Sequence, residues 1–419
     1  MPHSSKEIIG TSGDQLAGKT ILICLTGSVA IMKSPETARE LMRLGAEVKV
    51  VMTPAACDLI DPNLMEWSTG NPVLTQLSGK LEHVAFVRPG DERVDLVLVA
   101  PATANTLNKI ANGIADTAVT TTVYAAIGAG IPVLVAPAMH EPMLKHPVYE
   151  RSVERLRTLR VGVVEPTIEE GKAKMAEVEG IIEAVVRRLY PKDMAGLKVL
   201  VTAGPTVEYV DPVRVVTNRS SGKMGLAIAR EAFRRGADVA VVYGAGTEPV
   251  PTGAKIIRAE TTSEMHQAVA TEVRDSGCDL FVGAGAPSDY MAERTLDSKI
   301  SSRESPRLDI TLVATEKVMD VVREGSDETF VVAFKAEHGL SDKALVEKAY
   351  EWMKESGADL VAANDIGRRD VGFGVDTNEI FVIDREKNVT HLARTAKEEI
   401  ARKLLDIALR KMRKMEGQE

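Results

Sequence analysis

Residues 20–52 read TILICLTGSVAIMKSPETARELMRLGAEVKVVM. The first six, Thr20–Leu25, form an apolar run rich in β-formers and predict a strand. Thr26-Gly27-Ser28 then turns the chain. Ser34 stands as a helix N-cap with Pro35 at the first helical position, so an amphipathic helix is expected over 34–44. Gly45 stops that helix, and Glu47–Met52 predicts the next strand. The second half repeats the plan with a strand over 197–201, a turn at Thr202-Ala203-Gly204-Pro205 and a helix over 224–235. Gly236 ends that helix before a strand over 238–242.

Working outward, short apolar runs at 95–100 and 131–136 suit strands buried on both faces, as do 279–282, 329–333 and 359–362. Helical patterns lie between them, one starting at Ser341 and one at the capping box Thr261-Thr262-Ser263-Glu264. Strand–helix alternation with short connections implies right-handed crossovers. The expected class is α/β, two doubly wound parallel-sheet (Rossmann-like) domains. A helical pattern over 176–190 is followed by Pro191-Lys192-Asp193-Met194-Ala195-Gly196, which reads as a linker between domains 1–190 and 197–419. Near the end, 378–384 and 389–392 flank Arg385-Glu386-Lys387-Asn388 and predict a β-hairpin. A basic helix is expected from Thr395, its lysines and arginines on a solvated face.

A chain of 419 residues exceeds the size at which one core stops growing, which agrees with two domains. Aromatics at 4% are too scarce for a single-strand stacking platform. A net charge of −8 excludes a general basic surface for nucleic acid or anionic membrane. Cys24, Cys57 and Cys278 are too few and scattered for a disulfide framework or zinc site, so a reducing cytoplasm is expected. Residues 1–16 are polar with no apolar core, unlike a signal peptide. No apolar stretch approaches the roughly 20 residues of a membrane helix.

In doubly wound sheets ligands sit beyond the carboxyl ends of the strands, where strand order reverses. Three loops there carry small and hydroxylated residues: Gly27-Ser28, Thr53-Pro54-Ala55, and Ala100-Pro101-Ala102-Thr103-Ala104-Asn105-Thr106. Each reads as a helix start with free N–H groups, suited to a nucleotide or flavin phosphate, although each would serve equally as a plain cap. Gly27 stands alone, without the Gly-x-Gly-x-x-Gly fingerprint, and no Walker lysine is present. In the second half Arg214, Asn218, Arg219, Ser220, Ser221 and Lys223 crowd one helix start. Such donors suit a phosphate or a developing acyl-phosphate charge, and three cations are more than a plain surface loop gathers without carboxylate partners.

The stretch DPVRVVTNRSSGKMG, residues 211–225, resembles the signature of phosphopantothenate–cysteine ligases. Ala286-Pro287-Ser288-Asp289-Tyr290, Lys299, Phe334 and Ala363-Asn364-Asp365 follow in that family's order. In the first half, His83, the loop 100–106 and Pro137-Ala138-Met139-His140 resemble the FMN-dependent phosphopantothenoylcysteine decarboxylases. The resemblance covers about 19–384. It implies a flavodoxin-like flavoprotein domain followed by a ligase domain, in a bifunctional enzyme of coenzyme A biosynthesis.

By that resemblance, the second half joins 4′-phosphopantothenate to cysteine through an acyl-cytidylate made from CTP with Mg2+. Asn218 would hold the acyl-nucleotide carbonyl, with Arg219, Ser220, Ser221 and Lys223 beside the substrate. Asp289 would hold the divalent cation, a natural task for a carboxylate. Lys299 would neutralise charge in the site. Ala286 and Phe334 would line the nucleotide pocket, Phe334 beside the cytosine, while Lys348 and Lys354 would reach phosphates. The first half would decarboxylate the product to 4′-phosphopantetheine with FMN, cradled by Gly27, Ser28, Thr53, Ala102, Thr103, Asn105 and Thr106. His83 matches the catalytic histidine, whose imidazole moves protons near neutrality. Met139 and His140 would meet the substrate. Trimeric flavin domains and dimeric ligase domains are implied, hence a homo-oligomer.

Two departures stand out. Where the bacterial pattern has asparagine after Pro-x-Met, this chain has His140, which can donate the same hydrogen bond with an added pH dependence. The bacterial flap cysteine is missing from 166–175, leaving Glu169, Glu170 or Lys172 as proton donors for the last reduction. Two other readings stay open. One is a dinucleotide-dependent oxidoreductase, which the missing glycine fingerprint disfavours. The other is an active ligase fused to a regulatory or impaired flavin-binding half, which the missing cysteine keeps open.

Overall fold

The structure, a computed structural model, describes residues 3–169, 172–251, 253–300, 307–415 and 417, with no side chain described over 168–173. The chain forms two compact units, Met1–Tyr190 and Pro191–Glu419. In the first, six strands lie in the order β3-β2-β1-β4-β5-β6. They are β1 Thr20–Leu25, β2 Glu47–Met52, β3 Val73–Leu74, β4 Leu96–Ala102, β5 Val133–Pro137 and β6 Gly162–Val163. Every pairing is parallel. Ile21, Ile23 and Leu25 enter one core and Leu22 and Cys24 another, so both faces of β1 are covered. Each such side chain taken from water contributes about 1.5–3 kcal/mol before chain entropy is counted. Strand order reverses between β1 and β4, which opens a crevice at their carboxyl ends. A separate ribbon pairs β7 Thr167–Glu169 with β8 Lys172–Lys174.

The second unit holds eight strands in the order β13-β12-β9-β14-β17-β18-β19-β20. Their ranges are β9 Lys198–Ala203, β12 Asp238–Tyr243, β13 Lys255–Arg258, β14 Leu280–Gly283, β17 Phe330–Glu337, β18 Leu360–Asp365, β19 Thr377–Asp384 and β20 Val389–Ala396. Two ribbons leave this sheet, β10 Val207–Tyr209 with β11 Val215–Thr217, and β15 Tyr290–Ala292 with β16 Leu312–Ala314. Val199 and Val201 face one core and Leu200 the other, and strand order again reverses, here between β9 and β14. The sheet is not wholly parallel, because the expected hairpin docks on β18 as two antiparallel strands.

Most boundaries shift by one to three residues from the sequence reading, and two of the differences bear on the second unit's site. Strand β17 runs on to Glu337, carrying Phe334 and Lys335 past the expected end. The last helix is Lys397–Met415, because Thr395 and Ala396 pair with Asn378 and Thr377 and stay extended. Its first lysine is buried rather than solvated. No helix among the described residues is long and apolar enough to cross a membrane.

Candidate functional site

In the first unit the loops at the crevice are tied together by one hydroxyl that the sequence reading passed over as a turn residue. Thr26, just past β1, donates to the Pro101 carbonyl at 2.7 Å and accepts from the Thr103 N–H at 3.1 Å. It thereby fixes the loop after β4 to the loop after β1. Gly27 lets the loop after β2 close in, since a Cβ there would stand 2.7 Å from Ala55 Cβ. Ser28, Thr53 and Thr103 are N-caps, accepting from the N–H groups of Ala30, Ala56 and Thr106. Ala102, Thr53 and Thr106 are buried, whereas Gly27 and Asn105 are exposed. The chain thus brings these seven loop residues to one sheet edge. The next loop joins it through the Ala138 N–H, which donates to the Ala102 carbonyl at 3.0 Å.

His83 lies on the short helix Glu82–Ala85 and is half-buried. Among the described residues its Nδ1 is buried without a partner, as are Ser34 Oγ and Gln15 Oε1. The helix begins after Leu81, held at φ +56°, a left-handed conformation that costs a branched residue roughly 1–2 kcal/mol. Hydrogen bonds from the Ser78 hydroxyl and Ser78 N–H hold the Glu82 carboxyl down at about 2, and they lock the turn in front of the histidine. Met139 packs on the core from a half-buried position, and His140 is exposed at a helix N-cap where its ring caps nothing. Burial pushes the Cys24 thiol up to about 12 and raises that of Cys57, so neither is a ready thiolate. Glu170 lies outside the described residues, as do the side chains of Glu169 and Lys172.

The second unit carries a cavity of about 420 Å³ at the carboxyl ends of β9, β14 and β17. Asn218, Ser220, Ser221, Lys223, Ala286, Asp289 and Phe334 all line it. The Asn218 amide donates to the carbonyls of Ala286 (3.2 Å) and Pro287 (3.0 Å), so it lies across the loop after β14. Thr202 matches Thr26 in place and task, its hydroxyl accepting from the Gly285 N–H at 3.0 Å. The helix Lys223–Arg234 rests directly on β9, since a Cβ at Gly225 would stand 2.6 Å from Ala203 Cβ. A buried hydroxyl network fixes the 286–289 loop. Thr206 accepts from the Ser288 N–H at 2.8 Å, and Thr315 donates to the Ser288 carbonyl at 2.6 Å.

Several expectations need correction. Arg214 is not a free cation, because Asp211 pairs with it; burial would raise that carboxyl, but the N–H groups of Val213, Ile300 and Arg214 outweigh it and hold it at about 2. Lys223 is paired as well, with Asp376 at 2.6 Å and Glu248 at 3.7 Å. Arg219 is exposed and outside the cavity lining. Lys299 is also exposed and off the cavity, since Ile300 bonds both Asp211 and Arg214 and draws that segment toward the β10–β11 ribbon. On the helix Asp342–Ser356, Trp352 lines the cavity. Lys354, two residues on and turned about 200°, pairs with Glu351, and Lys348 pairs with Glu337 at 2.8 Å.

Other cavity residues went unread in the sequence. Lys317 pairs with Asp289 at 2.5 Å and Lys335 stands 5.2 Å over the Trp352 ring. Lys397 lines the cavity from the start of the last helix. Nothing in the spacing of these residues marks them, because strand pairing alone brings them together. No group of three or more His, Cys, Asp or Glu residues that could hold a metal occurs among the described residues. Asp289 could therefore contribute only to a cation held mainly by phosphates and water.

Residues 9–190 match the family described as Flavoprotein, and residues 194–412 match the DNA/pantothenate metabolism flavoprotein C-terminal domain. The chain is 43% identical over 406 residues to the coenzyme A biosynthesis bifunctional protein CoaBC of Thermococcus kodakarensis, covering 97% of this chain and 98% of that one. It is 33% identical to the protein of the same description from Methanocaldococcus jannaschii, over 91% of this chain and 92% of that one. A crystal structure of the C-terminal domain of a CoaBC protein is 27% identical, with a TM-score of 0.44, covering 53% of this chain and 99% of that one.

Proposed function

The chain belongs to the family of coenzyme A biosynthesis bifunctional proteins, and from that membership we propose how its two units divide the work. It is a bifunctional enzyme, a phosphopantothenate–cysteine ligase in the second unit and a phosphopantothenoylcysteine decarboxylase in the first. The observation that carries the ligase assignment is the Asn218 amide laid across the Ala286 and Pro287 carbonyls inside the β9/β14 cavity. A substrate carbonyl that displaces those contacts meets a donor already aimed. The carboxylate oxygen of 4′-phosphopantothenate attacks the α-phosphorus of CTP, and pyrophosphate leaves with the bridging electron pair. The amine of cysteine then attacks the activated carbonyl, forming the amide, and CMP departs. Asp289 would hold a magnesium ion, which would supply positive charge against the triphosphate, and Phe334 offers an apolar wall to the base.

The first unit fits a flavin mononucleotide. Its donor set of Ser28, Thr53, Thr103 and Thr106 surrounds the crevice, and Ser34 Oγ is a buried hydroxyl with no partner. Gly27, Ala102 and Asn105 would complete that cradle. When bound, the flavin supplies a two-electron oxidant whose electrons return to the product. With Nδ1 of His83 buried, Nε2 is the ring nitrogen left to take a proton from the substrate. His140 would donate from its imidazole to the substrate carboxylate, and Met139 would pack beside the substrate. Exposed apolar side chains on the ribbons, Val213, Val215, Tyr290, Met291 and Leu312, support a homo-oligomer joined through the ligase units.

Mass spectrometry of a reaction containing the protein, 4′-phosphopantothenate, cysteine, CTP and magnesium tests this reading. Accumulation of 4′-phosphopantetheine is expected. Accumulation of phosphopantothenoylcysteine instead would reduce the first unit to a regulatory or impaired role. Absence of any amide product, with ATP also tried, would overturn the ligase assignment.

A further inference from the structure

Lys397 is the first residue of the nineteen-residue helix Lys397–Met415 and is 4% exposed. Pairing of Thr377 with Ala396 places it there, at the margin of the β9/β14 cavity, which it lines together with Lys223, Met224 and Asn378. Its ammonium donates to the Gly372 carbonyl at 2.9 Å and the Val375 carbonyl at 2.6 Å. Among the described residues no carboxylate lies within 4.0 Å of it, unlike Lys223.

This is an adverse place for a cation on three counts. Burial strips it of water, the positive end of a helix dipole opposes it, and Lys223 adds a like charge nearby. Burial first and Lys223 second push the Lys397 ammonium down to about 8, with Asp376, Glu248 and Glu398 opposing them only in part. Glu398 stands on its own helix, Lys223 and Arg230 on the helix Lys223–Arg234, and Glu248 and Asp376 on flanking loops; all line a small polar pocket of about 130 Å³ with Lys397. A strap on two carbonyls requires only a neutral donor. A cation kept here without a counter-ion answers to an anion that arrives in the cavity.

We propose that Lys397 is a binding residue for the nucleotide triphosphate in the ligase unit, meeting the phosphates beside the first turn of the helix Lys223–Arg234 and staying with the pyrophosphate as it leaves. This rests on the ligase reading of that cavity. Lys223 already has Asp376 and Glu248 as partners, so Lys397 is a cation that the triphosphate can meet without displacing a carboxylate from it. Binding of the polyanion holds the ammonium protonated, so affinity falls once pH passes its value in the free protein.

The test is CTP affinity by calorimetry on the full chain with magnesium fixed, from about pH 7 to about pH 9.5, where the triphosphate is fully ionised. Wild-type affinity is expected to fall on the order of tenfold across that range, with proton uptake visible as a dependence of the heat on buffer ionisation. Lys397→Arg, charged throughout, is expected to bind CTP at neutral pH and to give a flat profile. Wild-type affinity that stays flat while the amide product still forms overturns the role of Lys397 and leaves the ligase reading intact. A slope that persists in Lys397→Arg assigns the titration to another group and also overturns it. No CTP binding and no amide product at any pH overturns both.

Discussion

Replacing Thr26 with valine keeps the volume of the side chain and removes one hydroxyl. That hydroxyl makes two hydrogen bonds, 2.7 Å to the Pro101 carbonyl and 3.1 Å from the Thr103 N–H. Thr26 is 1% exposed, so water does not replace it readily. Each buried polar group left without a partner costs about 1–3 kcal/mol. Two such groups put the expected loss at about 2–6 kcal/mol in the first unit, less a few tenths for the added methyl. Thr202→Val is the matched control in the second unit, where the hydroxyl accepts one bond from the Gly285 N–H, so about 1–3 kcal/mol is expected. The assay is thermal unfolding of each variant by calorimetry, followed unit by unit, together with retention of flavin through gel filtration. Thr26→Val should release flavin and lower the melting of the first unit, leaving amide formation by the second intact. If it melts within about 0.5 kcal/mol of the parent and keeps its flavin, the idea that one hydroxyl positions both loops is wrong.

Gly225→Ala should cost about 1–3 kcal/mol through overpacking, despite a gain of nearly 1 kcal/mol in helix propensity, because the new Cβ would stand 2.8 Å from the Thr202 carbonyl oxygen; unfolding by urea measures it, and a net gain in stability would show that the helix can back away. Asp211 is held at about 2 in the folded state, below its unfolded value near about 3.9, so its contribution is full above the unfolded value and is lost as pH falls toward about 2. Asp211→Asn should therefore flatten the acid limb of the stability curve, and an unchanged limb would count against it. His140→Asn should keep decarboxylation and His140→Ala should lose most of it, since an amide donates the hydrogen bond that the imidazole makes and a methyl group does not. Full activity of the alanine variant in product formation would exclude His140 from substrate recognition.

Much of the fold was legible because local and long-range signals agree. Thr20–Leu25 and Glu47–Met52 form strands over the residues their apolar runs mark, and the capping box at Thr261 and Glu264 starts a helix. The antiparallel edge was harder to read. The pattern over 378–392 announces a hairpin, but its docking on β18 depends on a partner strand distant in the chain. The same limit governs the sites. Asn218 stands in a stretch dense with polar donors, Asp289 and Phe334 were marked by the family resemblance alone, and all three converge on one cavity. Lys348 and Lys354 carry the right charge for phosphate, but helical rotation and the neighbouring Glu337 and Glu351 take them elsewhere. Lys397 looks in sequence like the start of a solvated basic helix, and only the Thr377–Ala396 pairing shows that it is enclosed.

The two units solve one problem in the same way and then diverge. Each opens a crevice where its central strand parts from its neighbour, and each braces that crevice with a threonine near the end of the central strand, Thr26 or Thr202. The side chains around the brace set the chemistry. In the first unit the adjoining loop is held by caps and small residues, leaving hydroxyls and N–H groups around a crevice that carries few charges, which suits a flat cofactor with one phosphate. In the second, charged side chains ring the cavity, and the acids Asp376, Glu248 and Asp289 answer Lys223 and Lys317. A site balanced in this way stays stable when empty, and under the proposed reading it would take up a polyanion by rearranging existing pairs. Lys397 is the exception to that balance, and an unbalanced buried cation is where the arriving phosphate gains most, because no resident carboxylate has to be displaced.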